Sequence, residues 1–166
     1  MSIWELLIIA GLFFILYIFW QGAAYVPIDR AKIEKILAMA QMQPGEKAVD
    51  LGSGDGRIVI ALAQSGLVAH GYEINPLLVW WSRRKIKQLG LDQRAKIIWK
   101  SFWGADLSQY DLIIVFGVDW IMPRLSRKLK KEMAGSSRAI SYAFALPGWP
   151  PTEQLGRTFL YRKQRL

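Results

Sequence analysis

Three glycines at alternate positions follow an acid in the middle of the chain, within the segment 50–57. The acid is Asp50, and a second acid, Asp55, stands among the glycines. The glycines are Gly52, Gly54 and Gly56. Because glycine accepts positive φ and has no Cβ, it is typical of backbone that passes close to a ligand. The residues before the glycines are predicted as a strand, and those after them as a helix whose free N–H groups point back at the loop. The segment therefore predicts a loop that binds a nucleotide-type cofactor.

The spacing of the glycines and the position of the first acid narrow the choice of cofactor. In the dinucleotide fingerprint G-x-G-x-x-G a glycine stands where this chain has Arg57, and a P-loop is excluded because no Gly-Lys-Ser/Thr follows. The pattern acid-x-Gly-x-Gly-x-Gly resembles the first motif of the class I S-adenosylmethionine-dependent methyltransferases. Carboxylates at Asp50 and Asp55 also favour a sulfonium that carries an ammonium over a pyrophosphate. The expected cofactor is S-adenosyl-L-methionine.

Further cofactor contacts are expected after the next two strands. Glu73 falls at the end of the second predicted strand, where a carboxylate can accept both hydrogen bonds of a ribose diol. Proteins that bind NAD place an acid similarly, and a plain surface carboxylate is the alternative. The resemblance puts the adenine near Ser101 and Phe102, although core packing explains Phe102 equally well. The residues expected at the cofactor are Asp50, Gly52, Ser53, Gly54, Asp55, Gly56, Glu73, Ile74, Ser101 and Phe102.

A narrower resemblance rests on four segments taken together, 25–27, 50–57, 71–76 and 146–149. They are similar to the small membrane-anchored protein-lysine methyltransferases of mitochondria, which modify the c subunit of ATP synthase and the adenine nucleotide translocator. The similarity covers nearly the whole chain. The family commonly has an acid at the position of Ser101, where it meets the adenine amino group, and serine offers a neutral acceptor instead. The resemblance implies methylation of a lysine in a membrane protein.

Methyl transfer to a lysine requires an aligned and uncharged amine. Alignment is the main task, because the reaction is an in-line displacement. An apolar site lowers the pKa of an ammonium, and aromatic rings attract the cationic acceptor. Tyr25, Trp103 and Trp149 are candidates for such a lining, although packing or contact with a membrane interface explains each of them equally well. Asp119, after the fourth predicted strand, is a candidate to orient the amine, and an ordinary loop acid is the slightly favoured interpretation.

Composition excludes several other chemistries. The chain has 166 residues, enough for one domain, with no cysteine and one histidine, His70. Disulfides, thiolate nucleophiles and multi-histidine metal sites are therefore excluded, and no metal site is predicted. The net charge of +9 indicates an anionic neighbour, either nucleic acid or a membrane surface. The segment 116–119 lacks the Asn/Asp-Pro-Pro-Tyr/Phe tetrapeptide of many amino-methylating enzymes, so methylation of nucleic-acid bases is disfavoured.

The elements that must position these residues alternate between strand and helix. Strands are predicted at 47–51, 67–72, 95–99, 110–116 and 138–144, helices at 29–42, 56–65, 75–89 and 123–134, and a terminal hairpin at 152–162. This alternation predicts an α/β fold, the Rossmann-like sheet of class I methyltransferases, with helices on both faces and the ligand at the carboxyl edge. In the helix at 75–89 we expect Leu77, Leu78, Trp81 and Ile86 to face inward, and the cations Arg83, Arg84, Lys85 and Lys87 to form a basic side.

The N-terminal segment is predicted to cross a membrane once. Residues 6–20 form an unbroken apolar run, and its extension through residue 24 gives about 20 residues, enough for roughly 30 Å of helix. A buried core helix and a cleaved signal peptide ending near 22–24 are the alternatives. Every Lys and Arg follows the run, so the positive-inside rule puts the domain on the cytoplasmic side. The expected organisation is an anchor at 1–24, in contact with lipid through residues 3–24, and a methyltransferase domain at 25–166.

These patterns lead to one main functional hypothesis and three alternatives. The main hypothesis is a membrane-anchored protein-lysine N-methyltransferase that acts on a membrane-associated protein. A lipid or a quinone-like small molecule is the alternative acceptor. A non-catalytic module that binds S-adenosylmethionine is a third possibility, although nothing in 50–56 is degraded. RNA methylation rests on the positive charge alone, and the basic helices are explained equally by anionic lipid or by solvent. Nucleic acid is therefore not the expected partner.

Overall fold

The computed structural model describes residues 1–20 and 28–163, with the side chains of the first range described up to residue 13. The helices are α1 (Ile3–Trp20), α2 (Arg30–Ala40), α3 (Arg57–Gln64), α4 (Pro76–Gln88) and α5 (Met122–Glu132). The strands are β1 (Lys47–Leu51), β2 (Val68–Glu73), β3 (Ala95–Trp99), β4 (Leu112–Val115), β5 (Arg138–Tyr142), β6 (Glu153–Leu155) and β7 (Thr158–Arg162). Two short 3-10 turns cover Phe102–Gly104 and Asp119–Ile121. Each predicted element of 29–162 is present, within a few residues of its expected bounds.

The strands form one twisted sheet in the order β3-β2-β1-β4-β5-β7-β6. The first five strands in this order are parallel, while β7 runs antiparallel to β5 and β6 antiparallel to β7. The order reverses at β1, which pairs with β2 on one side and with β4 on the other. Ligands of open α/β sheets bind at such a switch point, beyond the carboxyl ends of the strands. The predicted Rossmann-like sheet is confirmed, and its switch point lies at the glycine loop.

Two apolar layers cover the faces of the sheet, because successive strand residues point to opposite sides. Ala48 belongs to the layer that includes Ile36 of α2, Val59 of α3 and Val79 of α4. Its neighbour Val49 belongs to the layer that includes Leu125 of α5. The expected arrangement with helices on both faces is therefore correct.

The orientation predicted for α4 is wrong at two of its four inward positions. Leu77 and Trp81 are 75% and 56% exposed, whereas Ile86 is buried as expected together with Val79 and Ser82. The reason is a close approach between helices. A Cβ on Gly56, the residue before α3, would lie 2.9 Å from the Cβ of Ser82. Since α4 needs a small residue at this contact, it turns Ser82 inward and its larger apolar side chains outward.

A buried ion pair joins α2, the turn before β1, and β5. Arg138 is 4% exposed, and its two terminal nitrogens donate to the carboxylate of Glu46 at 3.0 and 2.6 Å. The same guanidinium donates to the carbonyl oxygens of Ala40 and Gln41, where α2 ends. The hydrogen bonds from Arg138 hold the pKa of Glu46 below its usual range. Arg138 thus satisfies the terminal carbonyls of α2 and fixes the helix against the sheet.

Helix α1 presents apolar side chains to its surroundings. Ile3, Trp4, Ile8 and Phe13 are all more than 60% exposed. In the part of the chain that the structure describes, no helix reaches both the length and the hydropathy that crossing a bilayer requires. Residues 21–24, the end of the predicted anchor, lie outside the described residues.

Candidate functional site

The glycine loop leaves β1 through left-handed backbone that only glycine adopts easily. Gly52, Gly54 and Gly56 have φ of +89°, +53° and +78°. A Cβ added to Gly52 would meet no atom within 4 Å, so this residue opens the loop to its surroundings. Gly56 serves the opposite purpose, because its missing Cβ admits Ser82 of α4. One glycine thus leaves room for a ligand, and another permits helix packing.

Backbone hydrogen bonds fix the loop to the end of β2. The N–H groups of Gly52 and Ser53 both donate to the carbonyl oxygen of Tyr72, at 3.0 and 2.9 Å. The N–H of Gly54 donates to Oε2 of Glu73 at 2.8 Å. Three successive N–H groups of the loop, from Gly52 to Gly54, are therefore held by the end of β2.

The side chain of Ser53 points toward the sheet. Its Oγ is buried and has no hydrogen-bond partner among the described residues. A Cβ on Gly71 of β2 would lie 2.5 Å from this Oγ, so the loop packs directly on bare backbone. The side chain of Ser53 therefore packs between the loop and β2, and its expected contact with the cofactor stays a prediction. The glycine inside a strand was the available signal for this close approach, since an interior glycine often marks one.

Glu73 is the polar centre of the loop as well as the candidate ribose ligand. Its Oε1 accepts hydrogen bonds from the N–H groups of Ile74 and Asn75, each at 2.8 Å, and its Oε2 accepts the one from Gly54. A carboxylate offers about four acceptor positions. Three are used by the backbone, which leaves one, on Oε2, for a ribose hydroxyl. The expected acceptance of both hydrogen bonds of a ribose diol by Glu73 stays a prediction, with three of its acceptor positions already in use.

Asp50 is the residue best suited to bind a cation. It is 2% exposed, and its carboxyl group forms no hydrogen bond or ion pair with the described residues. Burial, together with the nearby carboxylates of Glu73 and Asp55, raises the pKa of Asp50 to about 8. A buried carboxyl group without a counter-charge gains most from a cationic ligand. The residues present therefore fit S-adenosylmethionine, whose sulfonium and ammonium are both positive.

Asp55 forms an ion pair within the loop. Its carboxylate accepts two hydrogen bonds from the guanidinium of Arg57, both at 2.8 Å. Burial acts to raise the pKa of Asp55, but the hydrogen bonds and charge of Arg57 hold it below its usual range. Arg57 also donates to the carbonyl oxygen of Ile28, at 2.5 Å. Asp55 is thus neutralised within the loop, and the preference for a cationic ligand depends on Asp50.

The remaining residues expected at the cofactor follow β2 and β3, and of these Ser101 and Phe102 were expected at the adenine. Ile74 is half-buried, and its carbonyl oxygen accepts a hydrogen bond from the indole of Trp99 at 3.0 Å. Ser101 precedes the turn Phe102–Gly104 and caps it. Phe102 is 7% exposed and belongs to the α5-side layer. Core packing, the alternative interpretation of Phe102, is therefore part of its role.

Three of the four candidates for the acceptor site lie among the described residues. In two of them, both tryptophans, a cationic side chain lies over the ring. Trp103 is half-buried, with the guanidinium of Arg124 4.1 Å from its ring centre. Trp149 packs on Tyr161 and has the ammonium of Lys130 5.9 Å from its ring centre. Asp119 is exposed and begins the turn Asp119–Ile121. Tyr25 lies outside the described residues.

The two cations over the indoles were not expected from the sequence. Both Arg124 and Lys130 are on α5, so this helix brings positive charge to the aromatic groups that were expected to receive a lysine. A positive neighbour favours the neutral form of an amine. The basic residues of α5, interpreted earlier only as a face toward lipid or solvent, were the available signal.

Several known proteins with similar sequences carry the name of lysine methyltransferases. The chain is 40% identical over 132 residues to the lysine N-methyltransferase of the ATP synthase c subunit from Rattus norvegicus, a match that covers 80% of this chain and 61% of the relative. It is 32% identical over 131 residues to a protein-lysine N-methyltransferase of Saccharolobus islandicus, covering 78% of this chain and 81% of that protein. The chain spans only about 53–61% of the length of the rat enzyme and its vertebrate counterparts.

A solved structure and a sequence family, both of methyltransferases, are also similar to this chain. The crystal structure of an RNA methyltransferase from Salinibacter ruber in complex with S-adenosyl-L-homocysteine superposes with a TM-score of 0.80 at 25% identity, over 85% of this chain and 95% of that one. Residues 50–153 match the sequence model of a family described as the ANTKMT methyltransferase domain. The predicted resemblance and the predicted cofactor are confirmed by these similarities. The chain belongs to the ANTKMT methyltransferase domain family of S-adenosylmethionine-dependent class I methyltransferases.

Proposed function

We propose that this protein transfers methyl groups from S-adenosylmethionine to a lysine side chain of a membrane-associated protein. The observation that carries the proposal is Asp50, a buried carboxyl group without a counter-charge beneath a loop that Gly52 leaves open. This combination supports a cationic methyl donor. The lysine acceptor is supported by the rat and Saccharolobus relatives, whose names share protein-lysine methylation.

The chain's own residues would bind and orient the two reactants. Asp50 would hold the positive end of the cofactor, the backbone at Gly52 would lie against it, and Glu73 would accept a ribose hydroxyl. When bound, the cofactor supplies an electrophilic methyl group on its sulfonium. The remaining task is to present a neutral amine in line with it. Half-buried indole surface and the positive charge of Arg124 would both lower the pKa of an incoming ammonium.

Labelling of membranes tests the acceptor. Membranes from cells that lack this protein are incubated with the purified full chain and with cofactor labelled in its methyl group. We expect a labelled protein, and peptide mapping should place the label on a lysine. Label in the organic extract would instead select a lipid or quinone-like acceptor, and label in RNA would contradict a protein substrate. No label together with retained cofactor binding would indicate a non-catalytic module.

Matched variants identify the source of the label. Asp50→Asn removes the carboxylate under the glycine loop and should abolish labelling. Asp92→Asn makes the same chemical change at an exposed acid beyond α4 and should leave labelling intact. Equal labelling by Asp50→Asn would show that the proposed cofactor site is wrong.

We also propose that the N-terminal segment, through residues 3–24, attaches the protein to a membrane in a single pass, with the domain on the cytoplasmic side. The exposed apolar side chains of α1 and the position of every Lys and Arg after it support this arrangement. Attachment would raise the concentration of the enzyme near a membrane substrate. The full chain should stay with the membrane pellet through an alkaline carbonate wash, and protease added to the cytoplasmic side should digest the domain. Release by carbonate would contradict the anchor.

A further inference from the structure

Exposed tryptophans are concentrated on one side of the domain. In the described part of the chain beyond α1, seven large apolar side chains are exposed, namely Leu77, Trp80, Trp81, Leu89, Trp99, Trp120 and Leu155. Five of these seven lie on α4, at its C-terminal cap, or at the end of β3. Such a concentration of apolar surface on a folded domain marks an interaction site. We call Leu77, Trp80, Trp81, Trp99, Arg84 and Lys87 the α4 surface.

The α4 surface is continuous. The rings of Trp80 and Trp81 have their centres 6.4 Å apart, and Leu77 lies one helical turn before both of them. Trp80 and Trp99 line one open cavity of about 410 Å³, together with Arg84 and Lys87. The indole N–H of Trp99 donates to the carbonyl oxygen of Ile74, which fixes that ring at the rim. Three indoles therefore form a single surface across α4 and β3.

The charge of this surface has one sign. The sequence of α4 contains four cations and no acid. Arg83 is used internally, since it donates twice to the carbonyl oxygen of Ile97, but Arg84 lies near the ring of Trp80 and Lys87 borders the same cavity. Asp92 follows α4 and lines the adjacent cleft with Lys87. The charge complementary to this surface is negative.

Tryptophan beside arginine and lysine is the composition of a membrane interface. Indole rings locate at the level of lipid headgroups, while cations beside them attract anionic lipid. We propose that the α4 surface binds the anionic phospholipid headgroups of a membrane. Pro76, the first residue of α4, follows Glu73 by three positions, and Trp99 ends β3. Binding would therefore place the carboxyl edge of the sheet, with its glycine loop, next to the lipid.

Lipid binding by the α4 surface does not depend on which molecule accepts the methyl group. None of the six side chains of the α4 surface is among the residues assigned to the cofactor. A protein that lost lipid binding here would still bind S-adenosylmethionine. Failure of one proposal therefore leaves the other unaffected.

A single cysteine distinguishes binding by the α4 surface from attachment by the N-terminal segment alone. The chain has no cysteine, so Leu77→Cys in the full chain gives one attachment site for a polarity-sensitive fluorophore. On vesicles of phosphatidylcholine mixed with phosphatidylglycerol, we expect a blue shift of its emission that high salt reduces. A matched label at Arg127→Cys, exposed on α5, should show no shift.

Charge reversal tests the attraction directly. The double variant Arg84→Glu, Lys87→Glu should lose the shift at position 77 even while the N-terminal segment keeps the protein on the anionic vesicles. Arg127→Glu, Lys131→Glu makes the same charge change on exposed residues of α5 and should keep the shift at position 77.

Four results would overturn the proposal. The first is an aqueous emission at position 77 while the protein is bound to anionic vesicles. The second is an equal shift on phosphatidylcholine alone, which would remove the role of anionic headgroups. The third is an equal shift of both labels, which would indicate unspecific insertion. The fourth is a shift without vesicles that grows with protein concentration, which would show that a second copy of the chain covers this surface.

Discussion

Asp50 connects the structure of the cofactor site with its pH dependence. Its pKa is raised to about 8, so without cofactor the group is largely protonated at neutral pH. A cationic ligand binds the ionised form and must therefore displace a proton. Below pH 8 the affinity for S-adenosylmethionine should fall as pH falls, by up to about tenfold per unit. Calorimetric titrations between about pH 6.5 and pH 8.5 measure this dependence.

Asp50→Asn provides the control, because it removes the titrating group. The variant should bind the cofactor weakly and without this pH dependence. Since the folded-state pKa is raised, Asp50 costs no stability below its ordinary pKa, and the cost grows as pH rises toward 8. At pH 8 the variant should therefore be more stable to unfolding than the unaltered protein, and the difference should shrink as pH falls. Affinity of the unaltered protein that stays constant across this pH range would contradict the role of Asp50.

Ser53 and Gly71 give a stability prediction at the same loop. Ser53→Ala removes a buried hydroxyl without a described partner and should raise the free energy of unfolding by about 1 kcal/mol. Gly71→Ala adds a methyl group 2.5 Å from Ser53 Oγ and 2.6 Å from its Cβ, and should lower that free energy by about 3 kcal/mol. Denaturant unfolding measures both changes.

The double variant shows whether the two residues meet as the structure describes. Because the Cβ of residue 53 remains, Ser53→Ala should relieve only part of the damage from Gly71→Ala. Complete rescue would mean that the hydroxyl alone makes the contact. An unaltered stability of Gly71→Ala would mean that the loop does not rest on β2 at this point.

At the scale of elements, the buried ion pair of Arg138 and Glu46 should contribute more to the free energy of unfolding than an exposed ion pair does. Arg138→Met leaves Glu46 half-buried without its partner and should lower the free energy of unfolding by about 3 kcal/mol at pH 7. Arg30→Met breaks the exposed pair with Glu34 and should cause no measurable change. Thermal unfolding of the two variants compares them.

At acidic pH, the difference in stability between Arg138→Met and the unaltered protein should disappear. The lowered pKa of Glu46 means that its contribution is present above the ordinary glutamate pKa and is lost as pH falls through the folded-state value. Arg138→Met and the unaltered protein should therefore converge in stability in acid. A constant difference at every pH would indicate that the hydrogen bonds to the end of α2, and not the charge of Glu46, carry the effect.

The elements were predictable where local pattern determines them, and less so where distant residues do. The strand at 47–51 and the helix after it follow from an apolar run that ends in glycines. The inward face of α4 does not, because it depends on a contact between Ser82 and Gly56, 26 positions apart. The contact with Gly56 requires a small residue, so Ser82 is buried. The apolar pattern of α4 alone favoured burial of Leu77 and Trp81.

At the scale of the molecule, sequence and structure agree on the sheet and differ on the polar groups of the site. The alternation of strands and helices was enough to predict the fold and its ligand edge. The ion pair of Asp55 and Arg57 and the three backbone hydrogen bonds to Glu73 depend on loop geometry that spacing alone does not define. The sequence thus predicted the loop that carries these acids, while their hydrogen-bond partners required coordinates.

The order of strands in the sheet also has a consequence for synthesis of the chain. Strand β1 is central, yet Ala48 pairs with Leu112 of β4, 64 positions later. A ribosome has therefore released α1 long before β1 gains its second neighbour, and contacts so far apart in sequence form slowly. Helix α1 is therefore outside the ribosome while the sheet is still incomplete. On the membrane attachment proposed above, delivery to a membrane would precede completion of the fold.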